Sequence, residues 1–205
     1  MTTILLIRHG ENEYTEKGKL AGRLPGVHLS ATGVYQARAL AQGLKDEPLK
    51  AVYSSPLERA QETAKPLAEL HKLKVVTRPG LLETDVGVWV NKTVKSLRRT
   101  KAWGQLQRQP SRFCFPGGES ILEEQARLVA EIEALLGMHK AKDVIACVCH
   151  ADPIKLIVNY YLGQPLDLFQ RIHIRTASVS RLHFGQQGVM LGSLNEYFGE
   201  AEEQK

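Results

Sequence analysis

The chain has 205 residues, of which 43% are hydrophobic and 24% are charged, and its formal net charge is +5. These values are typical of one globular domain over residues 1–205 and exclude a disordered or low-complexity chain. No apolar run approaches the roughly 20 residues that cross a bilayer, and no basic and apolar leader precedes the first strand. We therefore expect a cytoplasmic protein that binds no membrane, with a frayed polar segment at residues 200–205.

The first predicted element is a short buried strand over residues 3–7, which ends at Arg8 and His9. Its β-branched and leucine residues are typical of a central strand in a parallel sheet. Gly10 ends the run. Because strands of open α/β sheets end at the ligand crevice, we expect the Arg8 and His9 side chains to reach a substrate.

The next strand, over residues 51–54, is followed by a helix that we expect to start at Pro56. Arg59 would then lie about one turn into this helix. A helix start offers unpaired backbone N–H groups and the positive end of the helix dipole, and a guanidinium would strengthen such an anion site. An earlier helix is predicted over residues 31–45, with Ser30 as its N-cap.

A third apolar strand, over residues 144–148, ends at Cys149 and His150. Asp152 and Pro153 follow it and favour the start of a helix. The amphipathic pattern of residues 119–138 predicts another helix, and the last two strands, residues 178–184 and 189–194, form a hairpin in this interpretation. Strands that alternate with helices indicate an α/β sheet between helical layers.

The three strand ends supply Arg8, His9, Arg59 and His150, and four potential cations in one pocket indicate an anionic ligand. Six segments in this order also resemble the histidine phosphatase superfamily, which includes the phosphoglycerate mutases. The resemblance implies a three-layer α/β/α sandwich with a mostly parallel central sheet, as in the phosphoglycerate mutases. The segments are residues 8–11, residues 53–64, Leu82 and Glu83 with Gly87 and Trp89, residues 115–120, His150, and residues 177–180.

The resemblance also implies roles for individual residues. His9 is the nucleophile that takes the phosphoryl group, and Arg8, Arg59 and His150 bind the phosphate oxygens. His150 is counted with the catalytic residues as well. Glu83 matches the general acid that protonates the leaving alkoxide, although Asp85 is a second carboxylate close in sequence. No metal or cofactor is implied, since these cations can neutralise the phosphate.

Substrate recognition is expected from the loop over residues 14–29, which covers the pocket in this interpretation, and from the segment over residues 90–115. The candidate substrate-binding residues are Asn12, Tyr14, Arg23 and His28. A tight turn at Pro25 and Gly26 aims His28 either at the substrate or into solvent. The other histidines, His71, His139, His173 and His183, are expected to be ordinary hydrogen-bonded residues.

A basic cluster over residues 92–101 has two interpretations. It forms either the solvated face of a helix or a rim that steers acidic substrates. The chain shows no clustering of basic and aromatic residues of the kind that binds nucleic acid. Cys147 and Cys149 alternate along a buried strand, and with Cys114 they form neither a disulfide framework nor a zinc site.

Three functional hypotheses remain. The first is a phosphatase that hydrolyses a small phosphorylated metabolite through phospho-His9 without a metal. The second is a phosphoglycerate-type mutase, in which the phosphoryl group returns to the substrate. The third is a regulatory protein that binds phosphate and turns over poorly. No self-complementary patch is evident, so the sequence leaves the oligomeric state open.

Overall fold

The computed structural model describes residues 1–199, and a single six-stranded sheet runs through it. The strands are β1 (Thr2–Arg8), β2 (Leu49–Ser54), β3 (Val75–Thr77), β4 (Val144–Cys149), β5 (Val179–Gly185) and β6 (Gly188–Glu196). Their order in the sheet is β3-β2-β4-β1-β5-β6. The first four of these strands are parallel, and the β5–β6 hairpin adds an antiparallel edge beside β1. The predicted frayed segment, residues 200–205, lies outside the described residues.

Seven α-helices and four short 3₁₀ turns connect the strands within residues 1–199. The helices are α1 (Glu13–Glu16), α2 (Ala31–Gly43), α3 (Glu58–Leu70), α4 (Val94–Leu97), α5 (Lys101–Arg108), α6 (Ile121–Met138) and α7 (Ala151–Tyr161). The 3₁₀ turns are Pro79–Leu81, Gly87–Trp89, Pro110–Arg112 and Leu166–Arg171. In the same part of the chain, no helix combines the length and the apolar character needed to cross a membrane.

The two faces of β1 bury different sets of residues, because successive side chains of a strand point in opposite directions. Leu5 and Ile7 pack in a cluster with the apolar residues of α2 and α3. Ile4 and Leu6 pack in a second cluster with those of α6 and α7. The sheet therefore lies between two helical layers, which confirms the predicted α/β/α sandwich with a mostly parallel sheet.

The start of α3 differs from the prediction. Leu57 has an extended backbone, with φ −72° and ψ 139°, and acts as the N-cap, so the helix begins at Glu58 rather than Pro56. Arg59 is therefore the second residue of the helix rather than a residue one turn in. Its side chain thus leaves the helix at the end that carries the unpaired N–H groups and the positive end of the dipole.

The basic cluster over residues 92–101 does not form one helical face. Thr93 caps α4, and Thr100 caps α5, each by accepting a hydrogen bond from a backbone N–H three residues later. The two caps divide the cluster between two short helices. The basic side chains are exposed, as the solvated interpretation expects, but they are spread over two short helices and the residues beside them instead of one helix, since threonine caps start a new helix inside the basic run.

The backbone after His9 passes very close to the start of α2. A Cβ at Gly10 would lie 2.7 Å from the Gly33 carbonyl oxygen, and a Cβ at Gly33 would collide with the Glu11 backbone. Neither position has room for a larger residue, because the obstacles are backbone atoms. The approach of these two segments fixes the loop that carries His9.

We expect Gly33→Ala to lower the free energy of unfolding by about 1–3 kcal/mol, because the backbone must shift to admit the methyl group. The matched control is Gly137→Ala in α6, where an added Cβ meets no atom within 4 Å. This control should raise stability by about 0.5–1 kcal/mol, since alanine favours the helix over glycine. Urea denaturation measures both changes, and equal stability of the two variants would contradict the predicted close contact.

Candidate active site

A cleft of about 340 Å³ opens at the carboxyl ends of the parallel strands. The end of β1 contributes Arg8 and His9, α3 contributes Arg59, and Glu83 comes from the loop after β3. His150 follows β4 and lies fully buried against His9, with 5.2 Å between the ring centroids. The tertiary fold thus brings together the five residues that the sequence assigns to phosphate chemistry.

The hydrogen bonds of His9 determine which ring nitrogen is available for reaction. Its Nδ1 lies 2.7 Å from the Gly10 carbonyl oxygen, which can only accept a hydrogen bond. Nδ1 therefore carries the proton, and Nε2 keeps its lone pair. Burial lowers the pKa of His9 well below its ordinary value, and the charges of Arg8 and Arg59 lower it further. The neutral imidazole needed by a nucleophile is thus the stable form near pH 7.

One ring nitrogen of His150 is hydrogen-bonded to the protein, and the other has no hydrogen-bond partner. Its Nε2 lies 2.8 Å from the Ser55 hydroxyl oxygen. Its Nδ1 is buried without a hydrogen-bond partner and lies 3.6 Å from Glu83 Oε2. Burial lowers the pKa of His150 well below its ordinary value, and Arg59 adds to the effect.

Two guanidinium groups enclose the same space. Arg8 Nη1 donates to the Ile174 carbonyl at 2.7 Å, and Arg59 Nη2 donates to the Gly22 carbonyl at 2.8 Å. Arg8 Nε and Arg59 Nη1 are buried and have no partner in the structure. Burial lowers the pKa of both groups, but guanidinium stays charged in proteins.

Buried polar nitrogens without partners are uncommon because each one costs free energy. Here three of them, on Arg8, Arg59 and His150, belong to the residues around His9. A tetrahedral anion such as phosphate offers acceptor oxygens in several directions and matches charged donors well. The arrangement is therefore suited to hold an anion in contact with His9.

Glu83 is the carboxylate next to this cluster. Its Oε1 accepts a hydrogen bond from the Thr84 backbone N–H at 3.0 Å, and Oε2 faces His150. Burial raises the pKa of Glu83, and the charge of Arg59 opposes that rise. The protonated form therefore persists to a higher pH than in an exposed glutamate.

Asp85 lies outside the residues that line the cleft. Its Oδ1 accepts from the Gly87 backbone N–H at 3.1 Å, and its Oδ2 lies 3.7 Å from Arg23 Nη1. This carboxylate is engaged in holding its own loop. Of the two acids that the sequence offered, Glu83 is thus the one placed beside His9.

His9, Glu83 and His150 also have the spacing of a metal site, because one ligand atom from each lies within 4.8 Å of the others. The electrostatics oppose a cation there. Arg8 and Arg59 lower the pKa of both histidines, which means that they disfavour added positive charge at this position. We therefore interpret the three residues as part of an anion site.

Asn12 and Tyr14 line the cleft, as expected for candidate substrate-binding residues. The Asn12 side chain is buried and accepts hydrogen bonds from the backbone N–H groups of Tyr14 and Thr15, so it caps α1. The Tyr14 hydroxyl donates to Asn91 Oδ1 at 2.7 Å. Both side chains shape the wall of the cleft through these contacts.

The other two candidates, Arg23 and His28, lie outside the cleft lining. His28 pairs with Glu62, which also accepts a hydrogen bond from the Leu29 backbone N–H. Arg23 donates to the Glu83 carbonyl at 2.8 Å and to Glu119 at 2.9 Å. The structure therefore places neither side chain against the cleft, because groups from distant segments engage Arg23 and His28 Nδ1. Of the two alternatives for His28, the structure shows the solvent-facing one.

Sequence reasoning missed several residues of the cleft. His173, which we expected to be an ordinary residue, lines it, and so do Asp152, Lys155 and Gln170. These four residues lie in α7 and in the segment that follows it, and no motif marks them. Trp103 also lines the cleft, and it lies in the segment over residues 90–115 from which we expected substrate recognition. Glu119 was also not singled out, although its position next to a double glycine was a usable signal.

Glu119 anchors the loop that carries Glu83. Its Oε1 accepts hydrogen bonds from Arg23, Arg127 and the Asp85 backbone N–H, at 2.8–3.0 Å. Arg127 also donates to the Gly80 and Leu82 carbonyls. These bonds hold the backbone on both sides of Glu83.

Comparison with known proteins shows similarity over nearly the whole chain. A family model described as histidine phosphatase superfamily (branch 1) matches residues 4–197. Phosphoserine phosphatase 1 of Hydrogenobacter thermophilus is 30% identical over 197 residues, which are 95% of this chain and 92% of that protein. A probable phosphoglycerate mutase of Yersinia enterocolitica is 29% identical over 90% of this chain and 86% of its own length.

A solved structure shows the same similarity. The crystal structure of phosphoserine phosphatase from Entamoeba histolytica in complex with 3-phosphoglyceric acid superposes with a TM-score of 0.85 and 26% identity. The match covers 96% of this chain and 98% of that one.

We expect inorganic phosphate to stabilise the protein, because it would satisfy the three unpartnered buried nitrogens. At about 100 times its Kd the gain is about 2.7 kcal/mol, or roughly 5–10 °C in Tm for a domain of this size. Arg59→Met should remove at least half of this shift. Arg181→Met is the matched control, since Arg181 pairs with Glu47 and Glu196 outside the cleft. Thermal scans with and without phosphate measure the shift, and a full shift in Arg59→Met would contradict the assignment.

Proposed function

Since this chain belongs to the histidine phosphatase superfamily, branch 1, we propose that it hydrolyses small phosphate monoesters through a phosphohistidine on His9. Members of this superfamily are phosphatases or phosphomutases, so the general class of chemistry follows from membership. The hydrolytic reaction, its metal independence and the roles of individual residues are the proposal.

One observation carries the proposal. The side chains of Arg8, Arg59 and His150 each keep a buried nitrogen without a partner, and all three surround the neutral imidazole of His9. A protein that bound phosphate through surface groups would not need to bury charged donors in this way. The arrangement fits an anion held in contact with a nucleophile.

In the first step His9 Nε2 attacks phosphorus, and the bond from phosphorus to the ester oxygen breaks. The Glu83 carboxyl gives its proton to that oxygen, so the alcohol leaves in neutral form. In the second step water attacks the phosphohistidine, and the Glu83 carboxylate takes the proton of the water. The bond from Nε2 to phosphorus breaks, phosphate leaves, and both side chains return to their starting states.

Arg8, Arg59 and His150 stabilise the transferring group in this scheme. Phosphoryl transfer spreads negative charge over the equatorial oxygens, and catalysis consists mainly of positioning and of neutralising this charge. Fixed donors in a buried site act strongly because they need no reorganisation during the reaction. No metal ion is required for this stabilisation.

A phosphomutase is the second candidate, favoured by the similarity to the probable phosphoglycerate mutase. A mutase returns the phosphoryl group to an acceptor that already carries one, so its site must hold two phosphates. Beyond Arg8 and Arg59, the basic side chains that line the described cleft are Lys19 and Lys155. Lys155 pairs with Asp152 at 2.9 Å. This charge balance supports hydrolysis.

The test is phosphate release from para-nitrophenyl phosphate and a panel of phosphorylated metabolites, with and without EDTA and a bisphosphorylated primer. We expect release that needs neither metal nor primer. His9→Ala should lose at least about a thousandfold in kcat/KM because the nucleophile is gone. His28→Ala is the matched control and should stay within about twofold, since His28 lies outside the cleft.

Three outcomes would overturn the proposal. Turnover only in the presence of the primer would identify a mutase, and phosphate binding without any product would identify a binding protein. Appreciable hydrolysis by folded His9→Ala would refute the assigned nucleophile.

A separate prediction concerns Glu83. Glu83→Gln should slow an alkyl phosphate by about 10²–10⁴-fold, because an alkoxide needs protonation. Para-nitrophenyl phosphate, whose leaving group needs no proton, should lose less than about tenfold. Asp85→Asn is the control and should affect both substrates equally. If Asp85→Asn discriminates between them and Glu83→Gln does not, Asp85 is the acid.

The pH profile gives a second measure of the same assignment. The lowered pKa of His9 keeps it neutral as the pH falls through the ordinary histidine range, so activity should persist there. The raised pKa of Glu83 keeps it protonated above the ordinary glutamate range, and turnover of the alkyl phosphate should decline as the pH rises through that raised value. The decline in turnover at high pH should be absent in Glu83→Gln.

A further inference from the structure

The part of the cleft that would hold the alcohol of a phosphate ester is largely apolar. Trp89, Trp103, Leu106 and Phe115 line it, and they come from the segment between β3 and α6. The rings of Trp89 and Trp103 are stacked, with 6.1 Å between centroids and 25° between planes. Phe115 packs edge-on against Trp89 at 5.3 Å. Each ring is therefore supported by another ring behind it.

This wall is formed before any ligand arrives. Trp89, Leu106 and Phe115 are buried in the main core cluster, while Trp103 is only half-buried. Trp103 is held at the first turn of α5, where its backbone N–H donates to the Thr100 hydroxyl at 3.1 Å. A preformed apolar surface can take an apolar group without the entropic cost of ordering side chains.

Elsewhere in the cleft lining, Lys155 and Asp152 form an ionic pair that carries no net charge. Lys155 Nζ donates to Asp152 at 2.9 Å and to Gln170 at 3.2 Å. The remaining basic side chain, Lys19, is exposed at the edge. Among the cleft-lining residues that the structure describes, none places a buried cation where a second phosphate or a carboxylate of the substrate would lie.

From these features we infer that the preferred substrates are phosphate monoesters of apolar alcohols, either aryl or medium-chain alkyl, rather than compact metabolites with a second anionic group. This inference rests on the proposed function for the chemistry at His9. It adds that the wall formed by Trp89, Trp103, Leu106 and Phe115, here called the aromatic wall, selects the alcohol.

The test uses a homologous series of n-alkyl phosphates, from ethyl to octyl. Their leaving alcohols differ little in acidity, so differences in kcat/KM report the binding of the chain. We expect a rise of about two- to fourfold for each added methylene until the cleft is filled. Ethyl phosphate and phosphoglycolate have the same number of carbons, and the added carboxylate of phosphoglycolate should bring no increase.

Variants identify the surface that is responsible. Trp103→Ala should lower the ratio of hexyl to ethyl turnover by at least fivefold, because the longer chain loses its apolar contact. Trp103→Phe should retain most of the ratio, because a ring still covers the wall. Leu122→Ala is the matched control, since Leu122 is 58% exposed and lies outside the cleft. Lys19→Ala should change no ratio by more than about twofold.

A binding measurement separates this inference from the proposed function. Alkylphosphonates cannot be hydrolysed, and their dissociation constants can be read from thermal shifts in the wild-type protein. Tighter binding with longer chains but no hydrolysis of any ester would overturn the proposed function and support the apolar specificity. Hydrolysis that is independent of chain length, or that is faster for phosphoglycolate and weakened by Lys19→Ala, would overturn the inference and leave the proposed function intact.

Discussion

The burial of two guanidinium groups beside His9 is the constraint on which the rest of the site depends. Each is tied to the protein by one backbone carbonyl, Arg8 to Ile174 and Arg59 to Gly22, and each keeps a buried nitrogen unpaired. Such groups are costly to bury without an anion. Their charge also contributes to the lowered pKa of both histidines, so that a single arrangement prepares the anion site and keeps the nucleophile neutral.

A network of hydrogen bonds, rather than a strand end, positions the Glu83 carboxylate. Glu83 sits on an irregular loop, and the loop is held through Glu119, which accepts hydrogen bonds from two arginines and one backbone N–H. Arg23 links this network directly to the Glu83 carbonyl. A side chain on a loop thus obtains a defined position from charged partners that never touch the cleft. The burial that this position imposes is also the main cause of the raised pKa of Glu83.

Different parts of the fold supply the polar and the apolar groups of the cleft. Strand ends and the start of α3 supply the groups that face phosphate, and their positions are set by the backbone of the sheet. The segment between β3 and α6 supplies the aromatic wall, which packs on the core as a unit. In the proposed function, the phosphate-binding groups and the aromatic wall come from different elements, but Glu83 shares the segment between β3 and α6 with the wall.

The sequence alone was sufficient for five of the six strands, the main helices of both layers and the residues near the ends of β1, β2 and β4, because hydrophobic periodicity and strand ends are local properties. It did not predict β3, whose three residues, Val75–Thr77, are too few to show a period. It also identified Glu83 as a candidate general acid, but the same motif left the neighbouring Asp85 as an alternative. Only the tertiary structure places Glu83 rather than Asp85 beside His9, because their loop is shaped by Arg23, Glu119 and Arg127 from distant segments.

Contacts between distant segments also explain why some predictions about the cleft residues failed. Arg23 and His28 carry the right chemistry for a substrate contact, but Glu119 and Glu62 engage them across long sequence separations. Conversely, Gln170 and His173 reach the cleft through the packing of helices and turns that no local pattern encodes. The sequence by itself determined which chemical groups are available, because these follow from residue type. Only the tertiary structure decided which partner each group contacts, because those contacts join elements far apart in the chain.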